Sequence, residues 1–323
     1  MKRLLLGPGP SNVPESVLRA LAEPTVGHLD PHFLARMEEV KGMLRQVFES
    51  KGALAIPISA TGSAGMECCL VNLIEPGDRL LVGTNGVFGC RIAEVARRAG
   101  AEVVTVDAPW GRALDPDDLR QAARQGPFRA LAVVHAETST GVLQDLTPMR
   151  SIADEAGALL LVDAVTSLGG VSVDFDAHGI DAAYSATQKC LSCPPGLAPV
   201  AFSARGLERV KSRTRPVQSW YFDLSLLLGY WAGAERVYHH TAPINMLFAL
   251  HEALRLVLEE GLSARFERHR RNARALCAGV EALGLELAVP AAERLPPLTL
   301  VKVPPSIDDK SLRTFLLESE GIE

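Results

Sequence analysis

Short apolar runs recur along the chain with amphipathic stretches between them, and this alternation restricts the fold more than any other feature. The runs are LLVGT at 80–84, AEVVTVD at 101–107, ALAVVHA at 130–136, ALLLVDA at 158–164, AAYSAT at 182–187 and APVAFSA at 198–204. Runs this short read as strands, and segments such as RIAEVARRAG at 91–100 carry helical spacing between them. Strands alternating with helices predict an α/β fold with a mostly parallel sheet covered on both faces. From Ile244 to Leu283 the pattern is helical for a long stretch, broken near Gly261. The organisation that follows is an amino-terminal arm over 1–20, a large domain over 21–260 and part of a smaller α+β domain over 261–323. Within that last part LTLVKVPP reads as a strand and SIDDKSLRTFLLESEGIE as a helix leading toward a further strand, so the chain is expected to stop inside its small domain.

Length and charge narrow the function. With 323 residues, 47% of them hydrophobic, the chain can bury a sizeable core. A formal charge of −5 gives no broad positive field for nucleic acid, so a small metabolite is the expected partner. The start, MKRLLLGPGPSN, has too short an apolar run for a signal peptide, and no run of membrane-spanning length follows, which points to the cytoplasm and away from a membrane. Cysteines at 68, 69, 90, 190, 193 and 277 form no regular framework and read as reduced thiols. Cys190 and Cys193 make a C-x-x-C, but Pro194 and Pro195 stand where a redox motif needs a helix. The histidines show no metal-ligand spacing. GTNGVFG at 83–89 has the spacing G-x-x-G-x-x-G, which is not the dinucleotide fingerprint. The basic cluster RHRRNAR at 268–274 reads as the solvated face of an amphipathic helix.

Three segments carry chemistry. Thr61, Gly62 and Ser63 stand between the strand-like IPIS and the helical MECCLVNLI, so they open a helix whose unpaired N–H groups and dipole favour a phosphate; an ordinary helix cap is the alternative. Asp163 ends ALLLVD and so places a carboxylate at the carboxyl edge of a parallel sheet, where open α/β folds bind ligands. Such a carboxylate can keep a ring nitrogen protonated, or simply cap the next turn. Lys189 lies 26 residues further on, in Ser185-x-Thr187-Gln188-Lys189 followed by Pro194-Pro195-Gly196. A lysine at a strand end can condense with an aldehyde and then, once released, move a proton.

At these residues the sequence resembles the class V pyridoxal-phosphate aminotransferases of fold type I, within the alanine–glyoxylate and serine–pyruvate (serine–glyoxylate) branch. The resemblance covers almost the whole chain: LLLGPGPSNV at 4–13, VGHLDPHF at 26–33, TGSAGME at 61–67, GTNGVFGCR at 83–91, HAETSTGVL at 135–143, LLLVDAVTSLGG at 159–170, SATQKCLSCPPG at 185–196 and YHHTAP at 238–243. It implies pyridoxal 5'-phosphate as cofactor, carried by Lys189 as a Schiff base, with Asp163 on the pyridine nitrogen. It further implies phosphate contacts from Thr61, Gly62, Ser63 and Gln188, a ring face covered by Phe88, and Thr138 near the ring's O3′. Gly9, Pro10, Ser11 and Asn12 become a substrate loop. Tyr238 and Thr241 become contacts to the phosphate of the neighbouring subunit, hence a homodimer with shared sites. The implied reaction moves the amino group of alanine or serine to glyoxylate or pyruvate.

Two positions depart from the family pattern, since relatives often carry Trp at Phe88 and His at Ser63. The arginine that holds the substrate carboxylate in relatives belongs to the last part of the small domain, a region not contained in this sequence. Other readings within the family are ureidoglycine–glyoxylate or aminoethylphosphonate–pyruvate transamination and cysteine desulfuration. The last needs a cysteine on a mobile loop, whereas Cys277 falls in a helical stretch. A protein that keeps the fold without turnover is the reading outside enzyme chemistry.

Overall fold

The computed structural model of the chain describes residues 3–231 and 236–323. Its strands are β1 (Leu54–Ile58), β2 (Arg79–Thr84), β3 (Glu102–Asp107), β4 (Ala130–Val134), β5 (Ala136–Glu137), β6 (Val142–Leu143), β7 (Leu159–Asp163), β8 (Ala182–Tyr184) and β9 (Ala198–Phe202). All but β5 and β6, which form a small hairpin, lie in one sheet of order β1-β9-β8-β7-β4-β2-β3. β9 alone runs against its neighbours β1 and β8, so the other six strands share one direction. β4, β7, β8 and β9 are buried at every position, as expected of a sheet covered on both faces.

Helices fill the crossovers: α1 (Glu15–Leu21), α2 (Pro31–Val47), α3 (Gly62–Leu73), α4 (Val87–Arg98), α5 (Pro116–Ala123), α6 (Met149–Glu155), α7 (Ala204–Lys211), α8 (Leu224–Trp231), α9 (Ile244–Glu260), α10 (Leu262–Ala282) and α11 (Asp309–Phe315). α3 packs on β8 and β9, α4 on β2 and β3, and α9 joins α1 and α2. Gly261, with φ of 80°, separates α9 from α10, which is the break read from the sequence. Among the described residues no helix is long and apolar enough to cross a membrane.

One local expectation fails. LTLVKVPP forms no strand. Val301 makes only an isolated bridge to Leu287, with hydrogen bonds from Ala288 N to Leu300 O at 3.0 Å and from Lys302 N to Glu286 O at 2.8 Å. Prolines at 296, 297, 304 and 305 remove donors at both ends of the run, which keeps the pairing short. The segment after α11 does find a partner: Ile322 bridges Leu4 in parallel, through Leu4 N to Gly321 O and Glu323 N to Leu4 O, both at 2.9 Å. The arm's root is thereby fastened to residues 321–323.

Asp181, at the entry to β8, ties the strands together. Its carboxylate accepts from Leu160 N at 2.8 Å, from Arg150 Nη1 at 2.9 Å and from Ser203 Oγ at 3.1 Å, and it is almost fully buried. Asp181→Ala should lower unfolding free energy by roughly 1–3 kcal/mol, because it leaves the buried Leu160 N–H unpaired while Arg150 keeps Asp154 at 2.7 Å. The half-exposed Arg205→Ala should stay within about 1 kcal/mol. Urea midpoints of the two variants check both.

Candidate active site

Six parallel strands bring their carboxyl ends to one edge, and the loops leaving β1, β2, β4, β7 and β8 meet there. Asp163 closes β7 and is 1% exposed. In the parallel register Asp163 stands opposite Tyr184, the last residue of β8, so both side chains fall on one face. Tyr184 donates its hydroxyl to Asp163 Oδ2 at 2.7 Å, and Val165 N donates to Oδ1 at 2.9 Å. Burial pushes the Asp163 carboxyl up to about 7; those two hydrogen bonds and the Lys189 ammonium pull it down, while the Glu137 carboxylate pushes it up. Asp163, Tyr184, Val165, Ala186, Gln188 and Lys189 line one cavity of about 190 Å³, together with Thr61, Gly62, Ser63, Met66, Phe88 and Arg91.

Lys189 sits on the loop after β8. Thr187 Oγ1 donates to Pro194 O at 2.7 Å and Cys193 N to Thr187 O at 3.1 Å, so the loop closes on itself. Burial lowers the Lys189 ammonium below the usual lysine range, partly offset by Cys190 and Asp163. The arm lies across it. Lys189 Nζ donates to Pro8 O, Ser11 N donates to Gln188 O at 2.8 Å, and Ser11 Oγ donates to Lys189 O at 2.9 Å. Gly9 has φ of 118° and stands so close that a Cβ there would lie 2.8 Å from Lys189 Cδ. Only glycine fits that approach. Gly7, Pro8, Gly9 and Ser11 line a second cavity of about 250 Å³ on which Lys189 also opens. Asn12 faces elsewhere, exchanging hydrogen bonds with the backbone of Leu5 at 2.8 and 3.1 Å. Pro10 is exposed and lines neither cavity.

The phosphate-loop residues open α3. Thr61 is its N-cap but makes no side-chain capping bond, and Ser63 is exposed like it, so both hydroxyls remain available at the helix amino terminus. Gly62 packs against the loop after β8, where a Cβ would lie 2.8 Å from Ala186 Cβ. Phe88, half-buried in the first turn of α4, lines the same cavity, with the Arg91 guanidinium 5.0 Å from its ring centre. Thr138 pairs with Thr166 through their hydroxyls; Thr166 lines the second cavity. Tyr238 and Thr241 do not join their own chain's cavity. They are exposed and share a hydroxyl contact at 3.2 Å.

Several site residues escape the sequence reading. Tyr184 is one. Another is Glu137, fully buried, whose carboxylate accepts from Phe88 N at 3.1 Å, Gly89 N at 3.4 Å and Ser139 Oγ at 2.6 Å. It caps α4 from outside the helix and so places Phe88. The basic cluster needs correction. Arg270 and Arg274 are solvent-facing and pair with Glu267, but Arg268 and His269 line the second cavity beside Lys189. Arg268 is paired with Glu260 at 2.9 Å. The preceding Arg265, nearly buried, pairs with Glu260 at 2.7 Å and donates to Gly169 O at 2.8 Å and Cys190 O at 2.5 Å, clamping the lysine loop to the loop after β7. The helical period does put these residues on one face, but only the docking of α10 shows that the face is inward. Burial pushes the Cys190 and Cys193 thiols up to about 11 and about 12, which disfavours their thiolate forms.

Pyridoxal phosphate fits these residues. Gln188 Oε1 is buried without a partner at the cavity wall, an amide that a bound polar group would satisfy. The unused hydroxyls at the α3 terminus suit an anion. Asp163 holds lone pairs beyond its two hydrogen bonds, in a setting where a cation would favour its charged form.

The fold is that of the fold-type-I pyridoxal-phosphate transferases, and the chain is an aminotransferase. It belongs to the class-V aminotransferases, whose family profile matches residues 3–323. It is 41% identical to the (S)-ureidoglycine–glyoxylate transaminase of Bacillus subtilis (strain 168), over 99% of this chain and 81% of that protein. It is 39% identical to the alanine–glyoxylate aminotransferase of Oryctolagus cuniculus, over 99% of this chain and 83% of the relative. The crystal structure of alanine–glyoxylate aminotransferase from Nostoc sp. superposes with a TM-score of 0.98 at 48% identity, covering 100% of this chain and 85% of that one.

In the cofactor-free protein, the raised Asp163 carboxyl has a consequence for stability. Its folded value of about 7 lies above the ordinary 3.8, so the folded chain binds the extra proton between those values. Its contribution therefore falls as pH rises from about 4 to about 7 and is level above that. Asp163→Asn should gain on wild type through that window, by at most about 4 kcal/mol. Urea midpoints measured from pH 4 to pH 8 check this, and a constant difference would contradict it.

Proposed function

We propose that this protein transfers the amino group of a small amino acid, alanine or serine, to glyoxylate, with pyruvate as the alternative acceptor. The observation that carries the reading is the convergence of Lys189, Asp163 and the amino terminus of α3 on one cavity. Bound there, pyridoxal phosphate supplies an aldehyde and a ring that accepts the electron pair left when the substrate Cα–H bond breaks. Lys189 anchors the aldehyde; its lowered ammonium makes the neutral amine, the form able to take the proton from substrate Cα, more available than at an ordinary lysine. Asp163 holds positive charge on the ring nitrogen. Thr61, Gly62, Ser63 and Gln188 bind the phosphate, Phe88 covers one ring face, and Thr138 approaches O3′. The arm closes the substrate side through Pro8, Gly9 and Ser11 and limits water there.

The names of the relatives support glyoxylate as acceptor, since both the Bacillus and the rabbit enzymes carry it. They divide on the donor, and the 41% identity to the Bacillus enzyme favours (S)-ureidoglycine as the second reading. We also infer a cytoplasmic homodimer in which Tyr238 and Thr241 reach the partner's phosphate. Supporting it are the exposure of Trp220, Val237 and Tyr238 at 62%, 62% and 57%, and cysteines without disulfide partners.

The test is visible absorbance of the cofactor-loaded protein. Alanine, serine or ureidoglycine should bleach the band and glyoxylate restore it, and the bleaching rates rank the donors. Lys189→Ala should lose all borohydride-fixed cofactor at the peptide containing residue 189. A fixed adduct persisting at that peptide would remove Lys189 from its role.

A further inference from the structure

We infer that Tyr184 is a positioning residue of the reaction: its phenol, donated to Asp163, keeps that carboxylate charged and turned so that its remaining lone pairs meet the ring nitrogen of pyridoxal phosphate. This rests on the reading that Asp163 faces that nitrogen, and adds a residue that no family motif in the sequence singles out.

The contact is built into the sheet. Asp163 and Tyr184 are register partners at the carboxyl ends of adjacent parallel strands, 1% and 0% exposed, and Ala164 N donates to Tyr184 O at 2.8 Å just beyond them. Strand pairing therefore fixes both backbones, and the 2.7 Å hydrogen bond follows. The carboxylate is gripped on each oxygen, by Val165 N on Oδ1 and by Tyr184 on Oδ2. Each oxygen retains acceptor capacity, and both residues line the cavity. A Phe at 184 would fill the same space, so packing alone does not account for the hydroxyl.

The direction of the bond is also set. The phenol is pushed well above its usual range by burial and by the charges of Asp163 and Glu137, so it stays protonated and can only donate toward the carboxylate. The groups facing Asp163 act in opposite senses: burial and Glu137 on β5 favour its neutral form, while Val165, Tyr184 and Lys189 favour its charged form. Cys69 of α3, the remaining titratable neighbour of the phenol, is itself held protonated by burial. Tyr184 is thus one of the few groups opposing desolvation of the acid.

The experiment uses Tyr184→Phe and two ligands, pyridoxal phosphate and its 1-deaza analogue, which keeps aldehyde and phosphate but has carbon in place of the ring nitrogen. Affinities come from fluorescence titration of the cofactor-free protein. Tyr184→Phe should weaken pyridoxal phosphate about tenfold, as for a lost hydrogen bond to a charged group, and leave the analogue nearly unchanged. In an Asp163→Asn background the same substitution should no longer separate the two ligands. Equal weakening of both ligands would make Tyr184 a packing residue only, and no change in either would make its hydroxyl idle; both outcomes overturn the inference. A wild type that binds both ligands with equal affinity would instead overturn the assignment of Asp163 to the ring nitrogen. Thermal melts of each variant confirm that folded proteins are compared.

Discussion

A carboxyl group only 1% exposed, standing at the end of a strand buried on both faces, is the constraint around which this molecule is arranged. The apolar run that makes β7 also removes solvent from Asp163, and the two hydrogen bonds it receives do not restore what water would supply. The group is left favouring a proton or a cation. On the proposed assignment a ligand with a protonated ring nitrogen would meet that need, and binding it would return stability to the sheet edge. Cofactor affinity and fold stability are therefore two readings of one desolvation cost.

Everything else at the edge follows from strand direction and close approach. Six strands run in one direction, so their following loops collect at one end, and the antiparallel β9, between β1 and β8, leaves that direction unchanged. The loops can be this near each other because particular side chains are missing. Gly62 lets α3 rest on Ala186, and Gly86 leaves room for Glu137, whose Cγ would otherwise lie 2.4 Å from a Cβ. Glu137 then brings α4 to the cavity from the neighbouring loop, and the Phe88 ring arrives with it.

The parts legible in the sequence are those whose signal is local. Strand runs, the break at Gly261 and the helix start at Thr61 depend on residues close in the chain, and each was readable. The placement of Asp163 and Lys189 at the sheet's carboxyl edge is legible because a strand end is a local feature. The rest depends on pairing. Tyr184 looked like one more apolar residue of AAYSAT until β8 was placed beside β7 in register. Arg268 and His269 looked like part of a charged face until α10 docked. LTLVKVPP had strand composition, but prolines at its ends and a single short neighbour deny it a ladder.

The arm shows how far such non-local dependence reaches. The Pro8 carbonyl of the arm accepts from Lys189 Nζ, while burial lowers the lysine and Cys190 and Asp163 partly offset it. The arm is fixed at two places, to the lysine loop through Ser11 and to residues 321–323 through Leu4 and Leu6. Arg265 separately joins α10 to the lysine loop through the Cys190 carbonyl. Between its two anchors the arm comes close to the lysine at Gly9, where a residue without a side chain is required.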